Sequence, residues 1–139
     1  MLDDSEYSRW LSMARRTIES AYGDLDRGDY NWACFKAQQA AEFAVKALLY
    51  GIGSPAYGHS IAKLVMIVKS VGVQVSDEIL EYAKTLDKYY VPTRYPNAWA
   101  EGTPYEYYTK LDATNAIKYS ECIVSWVENA WRYLKRGGS

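Results

Sequence analysis

A chain of 139 residues, 49% hydrophobic and 24% charged, has the length of one domain and enough apolar side chains for a single core. With 16 basic and 17 acidic side chains the net charge is -1, which excludes long-range attraction to nucleic acid or anionic membranes and confines any RNA contact to a local patch. The two cysteines, Cys34 and Cys122, form no CxxC pair, and one histidine makes no zinc-ligand set, so free thiols, no metal and no cofactor are expected.

The first residues, Met1-Leu2-Asp3-Asp4, are acidic where a signal peptide would be basic, and no apolar run reaches bilayer-spanning length. A cytoplasmic protein with no membrane contact is the expectation. From Ser5 to Arg27, Trp10, Ala14, Ile18, Ala21 and Leu25 recur at spacings of three and four, which predicts a helix with one buried stripe, ended by Gly28. Asp29 is the expected cap of a second helix running to Tyr50 and stopping at Gly51. So short a connection makes the two helices antiparallel neighbours.

The second helix has two distinct faces. Ala33, Ala37, Ala40, Ala44 and Leu48 form a small-residue side where another helix can approach closely. Trp32, Phe35, Gln39, Glu42, Phe43, Lys46 and Tyr50 form the opposite side, which mixes aromatic and polar groups. That mixture suits either a surface covered by another helix or subunit, with Glu42 and Lys46 as an i,i+4 pair, or a groove where Gln39 and Lys46 meet a phosphate or base.

A Gly- and Pro-containing loop, residues 51–58, leads to a third helix with Ile61, Leu64, Val65, Val68 and Val71 inward and its end at Gly72. His59 stands at the start of that helix, where capping or plain exposure is expected, because no partner for acid–base chemistry lies nearby in sequence. Ser76 caps a fourth helix with Asp77 and Glu78 in its first turn and Ile79, Leu80, Ala83 and Leu86 inward, ending before Pro92.

The segment from Lys88 to Gly102 is a long loop rich in aromatics, with Pro92 and Pro96 pushing Val91 and Tyr95 toward extended backbone. An ordered loop is expected. Arg94 stands out, since a guanidinium offers a planar fork that matches phosphate, although backbone carbonyls or a carboxylate such as Glu42 would satisfy it too. Two start signals then compete for a fifth helix: Thr103-Pro104-Tyr105-Glu106 and Thr109-Lys110-Leu111-Asp112. Ala116, Ser120, Ile123, Val127, Trp131 and Leu134 form its stripe, and a flexible tail is expected over about 135–139. The fold expected is an all-α, up-and-down antiparallel bundle of four to five helices in one domain spanning 1–139.

Three segments carry a resemblance to a known family: Gln38-Gln39-Ala40-Ala41-Glu42-Phe43-Ala44-Val45-Lys46-Ala47-Leu48-Leu49; Gly58-His59-Ser60-Ile61 with Leu64; and Tyr90 with Arg94-Tyr95-Pro96. Together, and over the stretch from the first helix to Trp131, the chain resembles the HEPN domain (higher eukaryotes and prokaryotes nucleotide-binding). The resemblance implies a helical bundle, usually a homodimer, often partnered by a minimal nucleotidyltransferase in a toxin–antitoxin-like pair. Many family members are metal-independent RNA-cleaving toxins that bring an arginine together, across the dimer, with a histidine that follows it after four to six intervening residues. Arg94 fills the arginine place, whereas Trp99, Ala100 and Glu101 occupy the places for the histidine. The tyrosine two residues beyond that histidine, which receives a nucleotide in some family toxins, has no counterpart, and Tyr105 lies too far along.

The leading expectation is therefore a non-catalytic homodimeric module that binds a nucleotide or a minimal nucleotidyltransferase through Gln39, Glu42, Lys46, Tyr90, Arg94, Tyr95 and Asn97. The alternatives are a divergent ribonuclease that uses Arg94 with Tyr95, Asn97 or the distant His59, and a purely structural dimerisation module.

Overall fold

The computed structural model describes residues 1–137, and these fold into five α-helices with no strand among them. The helices are α1 (Asp4–Arg27), α2 (Tyr30–Gly51), α3 (Ile61–Ser70), α4 (Asp77–Asp87) and α5 (Lys110–Lys135), with 3-10 turns at Pro96–Ala98 and Pro104–Glu106. The all-α bundle expected from the periodicities is the fold observed. Of the expected tail, Lys135 is the last residue of α5 and pairs with Asp4 at 2.6 Å, while residues 138 and 139 lie outside the described range.

Helix α1 starts where Asp3 accepts from the Glu6 N–H and ends where Gly28, at φ 82°, donates to the last carbonyls, a left-handed position that glycine takes without strain. Asp29 occupies the N-cap position of α2, but its side chain caps nothing and instead lies 3.5 Å from the Arg27 guanidinium. Gly51 does not stop α2; it is the last helical residue, and Ile52 follows as C-cap. A Cβ on Gly51 would stand 2.5 Å from Trp131 Cζ3, so the glycine is there to admit the indole of α5.

Helix α2 is the centre of the bundle and packs against each of the other four helices. Ala33, Ala37, Ala40, Ala44 and Leu48 are all fully buried, as their spacing predicts. The other face is partly covered, from within the chain, with Trp32, Phe35, Gln39, Phe43 and Tyr50 half-buried. Trp10 of α1 meets Phe43 at 6.1 Å and Tyr50 at 4.9 Å, and the Trp32 indole donates to the Tyr105 hydroxyl at 2.8 Å.

On α1 the buried seam is Tyr7, Leu11, Ala14 and Ala21, flanked by the half-buried Trp10, Ile18 and Leu25. Val71 is the exception among the inward residues predicted for α3: it is the C-cap and exposed. Both competing start signals before α5 are used. Thr103 and Glu106 close a capping box around the second 3-10 turn, and Thr109 and Asp112 close another at the head of α5.

Candidate functional site

Helix α2 carries a polar line on an otherwise apolar surface, and it converges on one buried carboxylate. Glu42, 2% exposed, accepts from Lys46 Nζ at 2.9 Å one turn on and from Gln39 Nε2 at 3.1 Å one turn back. Gln38 Nε2 also faces it at 3.5 Å, and one partner comes from outside the helix: His59 Nδ1 lies 3.2 Å and 3.3 Å from the two carboxylate oxygens. A carboxylate offers only acceptors, so Nδ1 carries a proton and donates it to Glu42; in the neutral ring the lone pair then stands on Nε2.

The residue that holds the histidine backbone is Gln38, completely buried, whose Nε2 donates to the His59 carbonyl at 2.9 Å. From the other side Asp87, at the end of α4, accepts from the Ile61 N–H at 2.7 Å, the Ala62 N–H at 3.0 Å and the Ser60 hydroxyl at 2.9 Å. It thereby adds a second cap to the N-terminus of α3 beside that of Ser60. His59 itself is no cap. It leads into α3 with its backbone pinned and over half of its ring in solvent.

Residues Lys88 to Thr109 form an ordered lid of aromatic side chains. Trp99 stacks on Tyr107 at 4.0 Å and donates to the Pro92 carbonyl at 2.7 Å. Tyr95 has the extended backbone that Pro96 imposes. Asn31 of α2, buried, donates to the Thr93 carbonyl at 3.0 Å, and the buried Thr93 donates to the Tyr89 carbonyl at 2.7 Å. Within the lid and on α2 behind it, burial pushes the Tyr89 hydroxyl and the Cys34 thiol each up to about 12 and raises Tyr108 as well, so all three are neutral near pH 7.

Anchored this way, Arg94 lies over rings rather than against a carboxylate. Its guanidinium carbon is 4.3 Å from the Phe35 centroid, 4.7 Å from Tyr90 and 5.0 Å from Tyr95, a cation held by ring faces. Nε donates to the Tyr90 carbonyl at 2.8 Å. The same Tyr90 ring stacks on His59 at 4.6 Å and 17°. One tyrosine therefore joins the guanidinium to the Glu42-bound imidazole.

The residues singled out in the sequence thus divide into layers. Tyr90, Arg94 and the exposed Tyr95 form the outer part. Glu42 and Lys46 are buried beneath it and spend their charges on each other, while the half-buried Gln39 bridges to Glu42. Asn97 is exposed in the 3-10 turn Pro96–Ala98. Sequence reasoning misses four members: Gln38, Asp87, Asn31 and the pairing of His59. The signal available is a fully helical spacing of polar residues, Gln38, Glu42 and Lys46, down a helix otherwise made of alanine and leucine.

The chemistry available is that of anion recognition beside a base. Arg94 supplies forked donors on an aromatic bed, and His59 presents a nitrogen whose tautomer is set from behind. No group of three metal-ligating side chains occurs among the described residues. Nor is any helix there long and apolar enough to cross a membrane.

Comparison with known proteins assigns this framework. The model of the HEPN domain matches residues 7–130. Among solved structures, TT1696 from Thermus thermophilus is similar at 44% identity and a TM-score of 0.87, over 89% of this chain and 97% of that one. ST0689, an archaeal HEPN homologue, is similar at 41% identity and a TM-score of 0.75, covering 88% of this chain and 95% of its own. An HEPN domain protein from Thermotoga maritima gives 32% identity and a TM-score of 0.74 over 89% and 98% of the two chains. No curated protein matches. With a matched family model across most of its length and three similar folds, the chain belongs to the HEPN domain family.

Proposed function

We propose that this protein is a homodimeric HEPN module that binds a nucleotide at Arg94, with a minimal nucleotidyltransferase as its partner in a toxin–antitoxin-like pair. The observation that carries the reading is the state of Arg94. Three rings and one backbone carbonyl orient it, and Nε is occupied, so the terminal N–H groups remain for a phosphate. Tyr90 and Tyr95 flank the guanidinium, the exposed Tyr95 gives the base a ring to stack on, and the exposed Asn97 stands in the same loop. In this reading Gln39, Glu42 and Lys46 act from below by holding His59 and, through its stack, Tyr90.

Titration calorimetry with ATP and other nucleotides tests it. Wild-type protein should bind and Arg94→Ala should lose at least about tenfold in affinity, the scale of one charge-assisted bidentate contact. Absence of heat with every nucleotide, together with no complex with a neighbouring transferase, overturns the reading.

A second reading, RNA cleavage, is favoured by one observation: His59 Nδ1 faces the Glu42 carboxylate at 3.2 Å, an arrangement in which the Nε2 of a neutral ring could take a proton from a hydroxyl. It would replace the histidine absent at Trp99 to Glu101 by one from the α2–α3 loop. Purified dimer should then cleave RNA, His59→Ala and Arg94→Ala should each abolish cleavage, and intact RNA after prolonged incubation rules against it. A dimer that neither binds nor cleaves leaves only a structural role.

A further inference from the structure

Helices α1 and α5 run antiparallel, as the cross-links Asp4–Lys135, Arg15–Glu128 and Tyr22–Glu121 require. Between them opens a groove of about 520 Å³, away from the Arg94 loop. Its floor is the stacked pair Tyr7 and Trp131, rings 4.1 Å apart and each 7% exposed. Arg15 and Arg16 from α1 and Arg132 from α5 stand on its rim, beside the hydroxyls of Ser8 and Ser12.

Three features give this groove a chemical character. First, its lining holds three guanidiniums against two carboxylates, Glu19 and Glu128, a positive balance in a chain of net charge -1. Second, Arg15 is pinned by Glu128, and Arg132 by Asn129 of its own helix, each through one terminal nitrogen, so the rest of both donor forks is available. Third, Tyr7 is 7% exposed, and its hydroxyl opens toward the groove rather than being sealed in the core, in the same lining as Arg15 and Arg132 of the two flanking helices.

We propose that this groove is a second anion site, which takes a phosphate group between Arg15 and Arg132 with the Tyr7 hydroxyl donating from the floor. Phosphate fits better than carboxylate because the donors come from two helices and from below, and three acceptor oxygens answer them where two would not. The apolar floor leaves room for a small body attached to the phosphate, so the ligand class is a small phosphate ester. The site stands apart from the one at Arg94 and does not depend on the nucleotide reading.

The test is a titration of full-length protein with inorganic phosphate and with pyrophosphate, read on the arginine Nε–Hε signals by NMR, with chloride at matched ionic strength as control. Saturable shifts of Arg15 and Arg132 that chloride does not reproduce, that persist in Arg94→Ala, and that weaken about tenfold in Arg132→Gln support the site. Ser12→Glu, on an exposed position that the fold does not use, should abolish them by charge repulsion. Shifts that fail to saturate, that chloride matches, that vanish with Arg94→Ala, or that survive both Arg132→Gln and Ser12→Glu overturn the proposal.

Discussion

Glu42 shows how one buried charge organises a site. Taking a carboxylate out of water is costly unless donors surround it, and here Lys46, Gln39, Gln38 and His59 all face it. Removing the carboxylate leaves the Lys46 ammonium buried without its partner, so Glu42→Ala should destabilise the fold by about 3–5 kcal/mol, measured by urea denaturation. Replacing both charges together, Glu42→Leu with Lys46→Met, should cost much less than Glu42→Ala alone, because no orphaned ion remains. Equal costs for the two variants would contradict the assignment of a buried ion pair. His59→Ala loses only a half-exposed ring and should leave stability within about 1 kcal/mol of wild type.

At the scale of the elements, two contacts decide where the site sits. Gly51 lets α2 pass against Trp131, and a methyl group there would overlap the indole, so Gly51→Ala should cost about 1–3 kcal/mol and lower the Tm. Asp87 ties the end of α4 to the start of α3, and Asp87→Ala should lose about 1–2 kcal/mol while shifting the NMR signals of His59. Helix identities and core faces are legible in the sequence because periodicity is local. Ala33, Ala37, Ala40, Ala44 and Leu48 on α2 and Ile61, Leu64, Val65 and Val68 on α3 are buried as their spacing requires. Ends governed by tertiary contacts are not legible: Gly51 reads as a stop but is helical, and Asp29 reads as a cap but turns toward Arg27. The site divides in the same way. Arg94 and the polar line on α2 stand out by residue type, whereas Glu42 meeting His59 depends on how the α2–α3 loop folds back, which no local pattern encodes.

For the molecule as a whole, the lid and the core behind it impose a limit on alkaline stability. Burial raises Cys34 from its ordinary 9.0 to about 12, Tyr89 from 10.0 to about 12, and Tyr108 upward too. Above pH 9 the unfolded chain therefore releases protons that the folded chain retains, and stability falls with rising pH. It is fully present below pH 9 and is lost progressively toward pH 12, by up to about 1.4 kcal/mol per pH unit for each group. Denaturation midpoints at pH 8 and pH 10.5 should show this decline, and a Cys34→Ala variant should show less of it. Constant midpoints would mean that these groups titrate normally.

The proposed binding function belongs to the junction of α2, the α2–α3 loop and the aromatic lid, with Arg94 at its mouth. Arg94→Lys probes that directly, since lysine keeps the charge but loses the planar fork and the stacking on Phe35 and Tyr90. Calorimetric titration of ATP into wild type and Arg94→Lys should give a saturable isotherm for the first and an affinity at least about tenfold weaker for the second. Superimposable isotherms, or no binding by wild type, would contradict the account.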